Sequence, residues 1–256
     1  MKKLFFTSNT KHYHKINGEK FPNELDNANG IVDQIKQLMS DNNEILYNKI
    51  LFIASSPDDI EQVDSYAALI FNGLKLSGIT FSEYFILDNR TKNNASEYVK
   101  KSNVIFLSGG DTYIENEFFK QIHLRELLQD FNGIIIGQSA GSINMAEAVY
   151  NSPEEGDLSE PIYFDGLGLS SINIEPHFVL DTTEFDEMQM YQRNHLLEES
   201  KRRPIYALCD GSHILETDEF IMIYGKSFLI KDGIITQICN DKQSFEIGIG
   251  KKTLGK

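Results

Sequence analysis

The chain has 256 residues, long enough to bury a sizeable core in one large α/β domain or two small ones. Its 38 acidic and 24 basic side chains leave a formal charge of −14, which repels phosphate backbones and argues against a nucleic-acid partner. No apolar run approaches membrane-spanning length, the opening stretch is too short for a signal-peptide core, and the two cysteines, Cys209 and Cys239, form no metal-type or redox-type pair. The expectation is a cytoplasmic protein with buried free thiols and no membrane partner.

Residues 3–6 read as a first strand, ending in a polar loop over residues 7–20. Within it, His12-Tyr13-His14 has a spacing that suits a metal, but no further ligand cluster accompanies it. An exposed loop without metal is expected there. Helical spacing runs through Ile31, Ile35 and Leu38. The continuous apolar run Ile50-Leu51-Phe52-Ile53-Ala54 marks a strand covered on both faces. Ser55-Ser56-Pro57-Asp58-Asp59 breaks it and opens a long helix to Leu76. A strand over residues 81–87, a short helix from Ala95 to Lys101 and a strand from Val104 to Leu107 follow.

That strand ends in Ser108-Gly109-Gly110-Asp111-Thr112, where the next helix begins. Thr112 and Glu115 have capping-box spacing. The paired glycines allow a sharp turn that exposes backbone amides at the carboxyl end of the strand, the edge where ligands bind in open parallel sheets. Helical segments continue to Asp130.

Ile134-Ile135-Ile136 then runs straight into Gly137-Gln138-Ser139-Ala140-Gly141. Ile143, Ala146 and Val149 recur every three residues, so the local pattern reads strand, abrupt turn, helix. A Ser at such a turn is pushed out of the sheet on a tight backbone. The Ala140 amide faces the space in front of the hydroxyl, and the helix start adds partial positive charge. This is what a nucleophilic Ser needs; the plainer alternative is a turn whose Ser only caps the helix.

An acidic loop over residues 151–160 carries Glu154, Glu155 and Asp157. Residues 172–178 read as a strand ending at His177, and residues 182–199 as a helix. Short strands over 204–209, 213–216, 219–224, 228–230 and 234–239, with a hairpin turn at Lys231-Asp232-Gly233, give the C-terminal part an antiparallel character. The tail from Gly248 is expected to fray. Strand alternating with helix argues for an α/β fold, a mostly parallel sheet flanked by helices, in one domain spanning residues 1–256.

A Ser needs a base, and the base an orienting acceptor. Of the six histidines, His177 is best placed, at a strand end behind Pro176; His213, behind Asp210-Gly211, comes second. His195 sits among apolar neighbours and reads as a packing residue. The acid candidates are Glu154, Glu155, Asp157 and Asp210, and spacing alone does not choose among them.

Leu107-Ser108-Gly109-Gly110-Asp111-Thr112, Gly137-Gln138-Ser139-Ala140-Gly141 and Ile174-Glu175-Pro176-His177-Phe178, in this order, resemble the serine peptidase family of dipeptidase E and cyanophycinase. The resemblance covers most of the chain and implies a class I glutamine amidotransferase-like fold with Ser in place of Cys at the elbow. It implies Ser139 as nucleophile, His177 as base and the Gly110 and Ala140 amides as oxyanion hole. The family's acid falls at Glu154, or at Glu155 if one residue is inserted. Where dipeptidase E offers an Arg to the substrate's aspartate, the closest match is Met190, with Arg193 nearby. The resemblance therefore does not extend to a preference for N-terminal Asp.

The expected activity is acyl transfer on short peptides without metal or cofactor; a homodimer is open. An α/β-hydrolase esterase also carries G-x-S-x-G, but such enzymes place the His far downstream, whereas His177 follows Ser139 by 38 residues. A non-catalytic ligand-binding relative is disfavoured by the intact Ser and His.

Overall fold

Strand β1 (Lys3–Thr7) is buried along most of its length and lies near the middle of the main sheet. The computed structural model describes residues 2–40, 47–153, 160–180 and 187–249. After β1 the chain forms a hairpin, β2 (Tyr13–Ile16) and β3 (Glu19–Pro22), where the sequence suggests an exposed loop. Asn17 and Gly18 make its turn, both at positive φ.

Helix α1 (Ile31–Ser40), strand β4 (Lys49–Ile53), helix α2 (Ile60–Leu76) and strand β5 (Glu83–Leu87) continue the chain. Next come α3 (Ala95–Lys101), β6 (Val104–Leu107), α4 (Thr112–Gln121), α5 (Leu124–Leu127) and β7 (Ile134–Gln138). Strands β1, β7, β6, β4 and β5 pair parallel in that order. Their side chains alternate between two cores. Ile50 and Phe52 pack with Ile35, Val63 and Ile70 under α1 and α2, whereas Leu51 and Ile53 pack with Val99, Phe118 and Leu124 under α3 to α5. Burial of both faces explains why β1, β4, β6 and β7 are largely apolar without alternation, whereas the edge strand β5 starts with the exposed Glu83 and Tyr84.

Two details at helix starts differ from the sequence reading. The cap of α4 is Asp111, whose Oδ1 accepts from the Ile114 amide at 2.8 Å; Glu115 turns inward and is fully buried. The helix after Ser139 is a single turn, α6 (Ala140–Ile143). It stops because segment 166–170 takes the backbone groups that would extend it. Leu167 donates to the Asn144 carbonyl, Leu169 to that of Met145, and Glu147 to that of Ser170. Ile143, Ala146 and Val149 are still all buried, so their apolar spacing reports burial without a helix.

The chain goes on through β8 (Ala148–Asn151), β9 (Ile162–Asp165), β10 (Asn173–Glu175), α7 (Glu187–Glu199) and β11 (Ile205–Leu208). The last strands are β12 (His213–Glu216), β13 (Phe220–Tyr224), β14 (Ser227–Lys231), β15 (Ile234–Cys239) and β16 (Ser244–Ile249). Strands β12, β13 and β16 extend the main sheet antiparallel from β1, which makes it eight-stranded. A second sheet runs β10-β11-β14-β15, with β10 and β11 parallel. It packs Ile205, Phe228 and Ile230 with Leu196 of α7. The architecture is thus mixed α/β, a large mostly parallel sheet flanked by helices. Gly248 and Ile249 belong to β16 rather than to a frayed tail. Residues 182–186 of the expected helix, and residues 250–256 of the tail, lie outside the described residues.

Candidate active site

The elbow is held from three sides. Ser139 has φ +49°, a left-handed value that costs a non-glycine residue energy and has to be held by its surroundings. Its amide donates to the Thr7 carbonyl at 2.9 Å, and Ser142 Oγ bonds both the amide and the carbonyl of Thr7 at 2.9 Å. The flanking glycines are required by close approach. A Cβ on Gly137 would lie 2.7 Å from the Ser142 nitrogen, and one on Gly141 would lie 2.7 Å from Leu107 Cβ.

His177 does not close a strand. Strand β10 ends at Glu175, and His177 sits two residues beyond it at φ +57°. Its backbone amide donates to Ser8 Oγ at 2.7 Å. The ring then spans two partners: Nε2 is 3.1 Å from Ser139 Oγ, and Nδ1 is 2.7 Å from Asp210 Oδ1. With a proton on Nδ1, the imidazole donates to Asp210 and accepts from the serine hydroxyl. Asp210 lies in the turn between β11 and β12 and also accepts from Ser8 Oγ at 2.8 Å and Asn9 Nδ2 at 3.3 Å. The hydrogen bond that His177 donates to Asp210 raises the histidine's pKa above its ordinary value, against the opposing effect of burial. Burial pushes Asp210 up, but bonds from His177 and Ser8 outweigh it and hold the carboxyl below the usual range.

Of the acids read from the sequence, Asp210 is the carboxylate on the imidazole. Glu154, Glu155 and Asp157 lie outside the described residues. His213 is buried away from Ser139, stacked on Tyr224 and bonded through Nε2 to Gln34 Oε1 at 2.7 Å. Burial pushes its pKa down to about 3. His12, expected in an exposed loop, is fully buried beside Thr10, and burial lowers it to about 4. His14 is exposed against Phe21. Among the described residues no group of His, Cys, Asp and Glu could hold a metal.

A cleft of about 540 Å³ opens in front of Ser139. Gly109, Gly110 and Thr112 line it from one strand end, and Asn151, Ser152 and Pro153 from another. Tyr13 of the β2–β3 hairpin, Tyr66 of α2, Glu175 and His177 complete much of the wall. Among the described residues, neither the Gly110 nor the Ala140 amide donates to a protein acceptor. From α7 the lining residue is Gln192; Met190 is exposed, and neither it nor Arg193 lines the cleft. Sequence reasoning passed over Ser8, Asn9, Glu175 and Gln192. The Asn17-Gly18 pair was a legible signal for the hairpin that brings in Tyr13.

A Ser–His–Asp chain of hydrogen bonds at the carboxyl edge of a parallel sheet is an arrangement in which a serine hydroxyl has a base and the base an orienting acceptor. The family model described as "Peptidase family S51" matches residues 22–223, so the chain belongs to that family and is a peptidase. A "Probable alpha-aspartyl dipeptidase" of Drosophila melanogaster is 24% identical over 183 residues, covering 69% of this chain and 72% of that protein. Among solved structures, a peptidase from an acI-B1 Actinobacterium matches with TM-score 0.63 at 14% identity over 96% of both chains. A "Putative Peptidase E Protein" from Listeria monocytogenes EGD-e matches with TM-score 0.55 at 17% identity, over 93% of this chain and 99% of that one. At these identities the two structures speak for the fold. No helix among the described residues is long and apolar enough to cross a membrane.

Proposed function

We propose that this peptidase hydrolyses short peptides through an acyl-enzyme, with Ser139 as nucleophile, His177 as general base, Asp210 as orienting acid and the Gly110 and Ala140 amides as oxyanion hole. The observation that carries the reading is the continuous bond chain from Ser139 Oγ through both ring nitrogens of His177 to Asp210, at 3.1 and 2.7 Å. Ser139 Oγ attacks the scissile carbonyl carbon while its proton passes to Nε2. Negative charge gathers on the carbonyl oxygen and is met by the two amides, each worth about 3 kcal/mol in such sites. The imidazolium, held by Asp210, then protonates the leaving amine, and water releases the acyl group by the same steps in reverse.

The finer fold reading, a class I glutamine amidotransferase-like arrangement in one domain, and a cytoplasmic location belong to the same proposal. Cys209 and Cys239, both free, are compatible with a reducing compartment. The preference implied by the name of the fly relative is not carried over. Selecting an aspartate side chain calls for a fixed cation, and the groups lining this cleft beside His177 are Glu175 and the neutral Gln192.

The test is fluorophosphonate labelling together with turnover of a dipeptide library. Ser139→Ala should abolish both, and His177→Ala should lower turnover at least about a hundredfold. Labelling of Ser139→Ala at the wild-type level would refute the nucleophile assignment.

A further inference from the structure

Glu175 ends β10 two residues before His177, and it lines the same cleft as Ser139. Only 5% of the residue remains exposed to solvent. Two donors hold the carboxylate, the Ser152 hydroxyl sharing its one proton between both oxygens. Ser152 Oγ lies 2.8 Å from Oε1 and 2.9 Å from Oε2, and Gln192 Nε2 donates to Oε1 at 2.9 Å. Both donors are neutral. Among the described residues no lysine or arginine pairs with it, and the positive charge acting on it is that of His177 when the imidazole is protonated, which is not its resting state as a base. The stretches 154–159 and 181–186, next in sequence to cleft or site residues, contain six carboxylates and neither Lys nor Arg.

A buried carboxylate fixed by neutral donors and left without a cation is costly to a protein. Such a group in a reaction cleft is complete only when the ligand brings the opposite charge. Resting on the serine-peptidase reading, we propose that Glu175, aimed by Ser152 and Gln192, is the specificity residue that receives a substrate ammonium group beside the scissile carbonyl.

Two sources offer that chemistry: the α-ammonium of an N-terminal residue and the side chain of a basic residue. The first fits the proximity to His177. In a substrate whose first peptide bond is cut, the α-nitrogen is separated from the attacked carbonyl by the Cα alone. Burial pushes the Glu175 carboxyl up to about 7, with Ser152, His177 and Gln192 pulling the other way. An ammonium in contact would pull it further down and secure the ionised form. An acidic side chain in the same place would meet like charge.

The experiment compares kcat/KM for Leu-Leu, acetyl-Leu-Leu and acetyl-Lys-Leu in wild type and Glu175→Gln, a change that keeps shape and removes charge. The expected result is a wild-type ratio of Leu-Leu to acetyl-Leu-Leu above about tenfold that falls at least about tenfold in the variant. If the ratio of acetyl-Lys-Leu to acetyl-Leu-Leu is the one that collapses, the cation is a side chain and Glu175 still receives it. Ratios that are equal in wild type and variant, with all rates lowered together, would mean that Glu175 only ties β10 to α7 and would overturn the proposal. Fluorophosphonate labelling of both proteins reports separately on the nucleophile. If labelling is lost in wild type, the peptidase mechanism fails. Calorimetric binding of the same three peptides to Ser139→Ala, with and without Glu175→Gln, then decides the ammonium proposal; undiminished binding in the double variant, or no binding of any peptide, overturns it.

Discussion

Ser8 and His177, 169 positions apart in sequence, are joined by a 2.7 Å bond from the histidine's own amide to the serine hydroxyl. The same hydroxyl gives its proton to Asp210 at 2.8 Å. One side chain at the end of β1 thus fixes the backbone that carries the imidazole and the carboxylate that orients it. Removing it should loosen both without touching the substrate. Ser8→Ala is expected to lower kcat/KM about tenfold, the size of one bond to a charged group. The fall should be in kcat with KM little changed, since Ser8 is a positioning residue. A fall carried by KM alone would contradict this role.

The orienting acid is decided by Asp210→Asn assayed beside Glu154→Gln and Glu155→Gln. Asp210→Asn should cost at least about a hundredfold in kcat/KM, and the other two should cost little. The pH profile gives an independent sign. Asp210 raises the His177 pKa, and the base works only when neutral, so activity climbs as pH rises through that value. Removing the anion should shift the acidic limb to lower pH. A limb that stays in place in Asp210→Asn, or a large loss in either Glu variant, would move the assignment to the acidic loop.

Glu115 offers a stability test away from the cleft. Its side chain is fully buried, and Oε2 accepts from Asn144 Nδ2 at 3.0 Å. Burial pushes its pKa well above the ordinary 4.5, the charge of Asp111 pushes the same way, and the Asn144 bond opposes them. The folded protein therefore holds a proton that the unfolded chain gives up. Stability is highest below the unfolded pKa and falls as pH rises towards the folded one. Glu115→Gln, which cannot ionise, should be more stable than wild type at neutral pH, and the gain should shrink towards pH 4. The slope is up to about 1.4 kcal/mol per pH unit within that window. Urea unfolding at pH 4.5 and 7.5 measures it; an equal difference at both would mean that Glu115 is ionised in the fold.

Substrate choice is tested with Asp-Leu against Leu-Leu and Met-Leu. With Gln192 rather than a basic residue lining the cleft from α7, Asp-Leu should not be preferred. An Asp-Leu preference above about tenfold, roughly 1.4 kcal/mol, that disappears in Arg193→Ala would show that Arg193 reaches the substrate after all.

The parallel strands were legible because burial on both faces demands continuous apolar runs, as in Ile50 to Ile53 and Ile134 to Ile136. The elbow was legible because close packing at Gly137 and Gly141 excludes any side chain. Apolar spacing misled at Val149, which is buried through segment 166–170 rather than by a helix. Asp111 and Thr112 are both good caps, and only the packing of Glu115 against Asn144 decides between them. Ser8, Asp210 and Glu175 meet their partners through contacts made across the fold. Nothing in the neighbouring sequence of such residues records their partners.

The Ser8–Asp210 bond links positions 202 residues apart. A chain still being made, or one clipped before β11, carries Ser139 and His177 but lacks the carboxylate that aims them. On the proposed triad, peptide hydrolysis therefore waits for the part of the chain that follows β11. In refolding experiments, activity should return only once residues 8, 177 and 210 have been brought together.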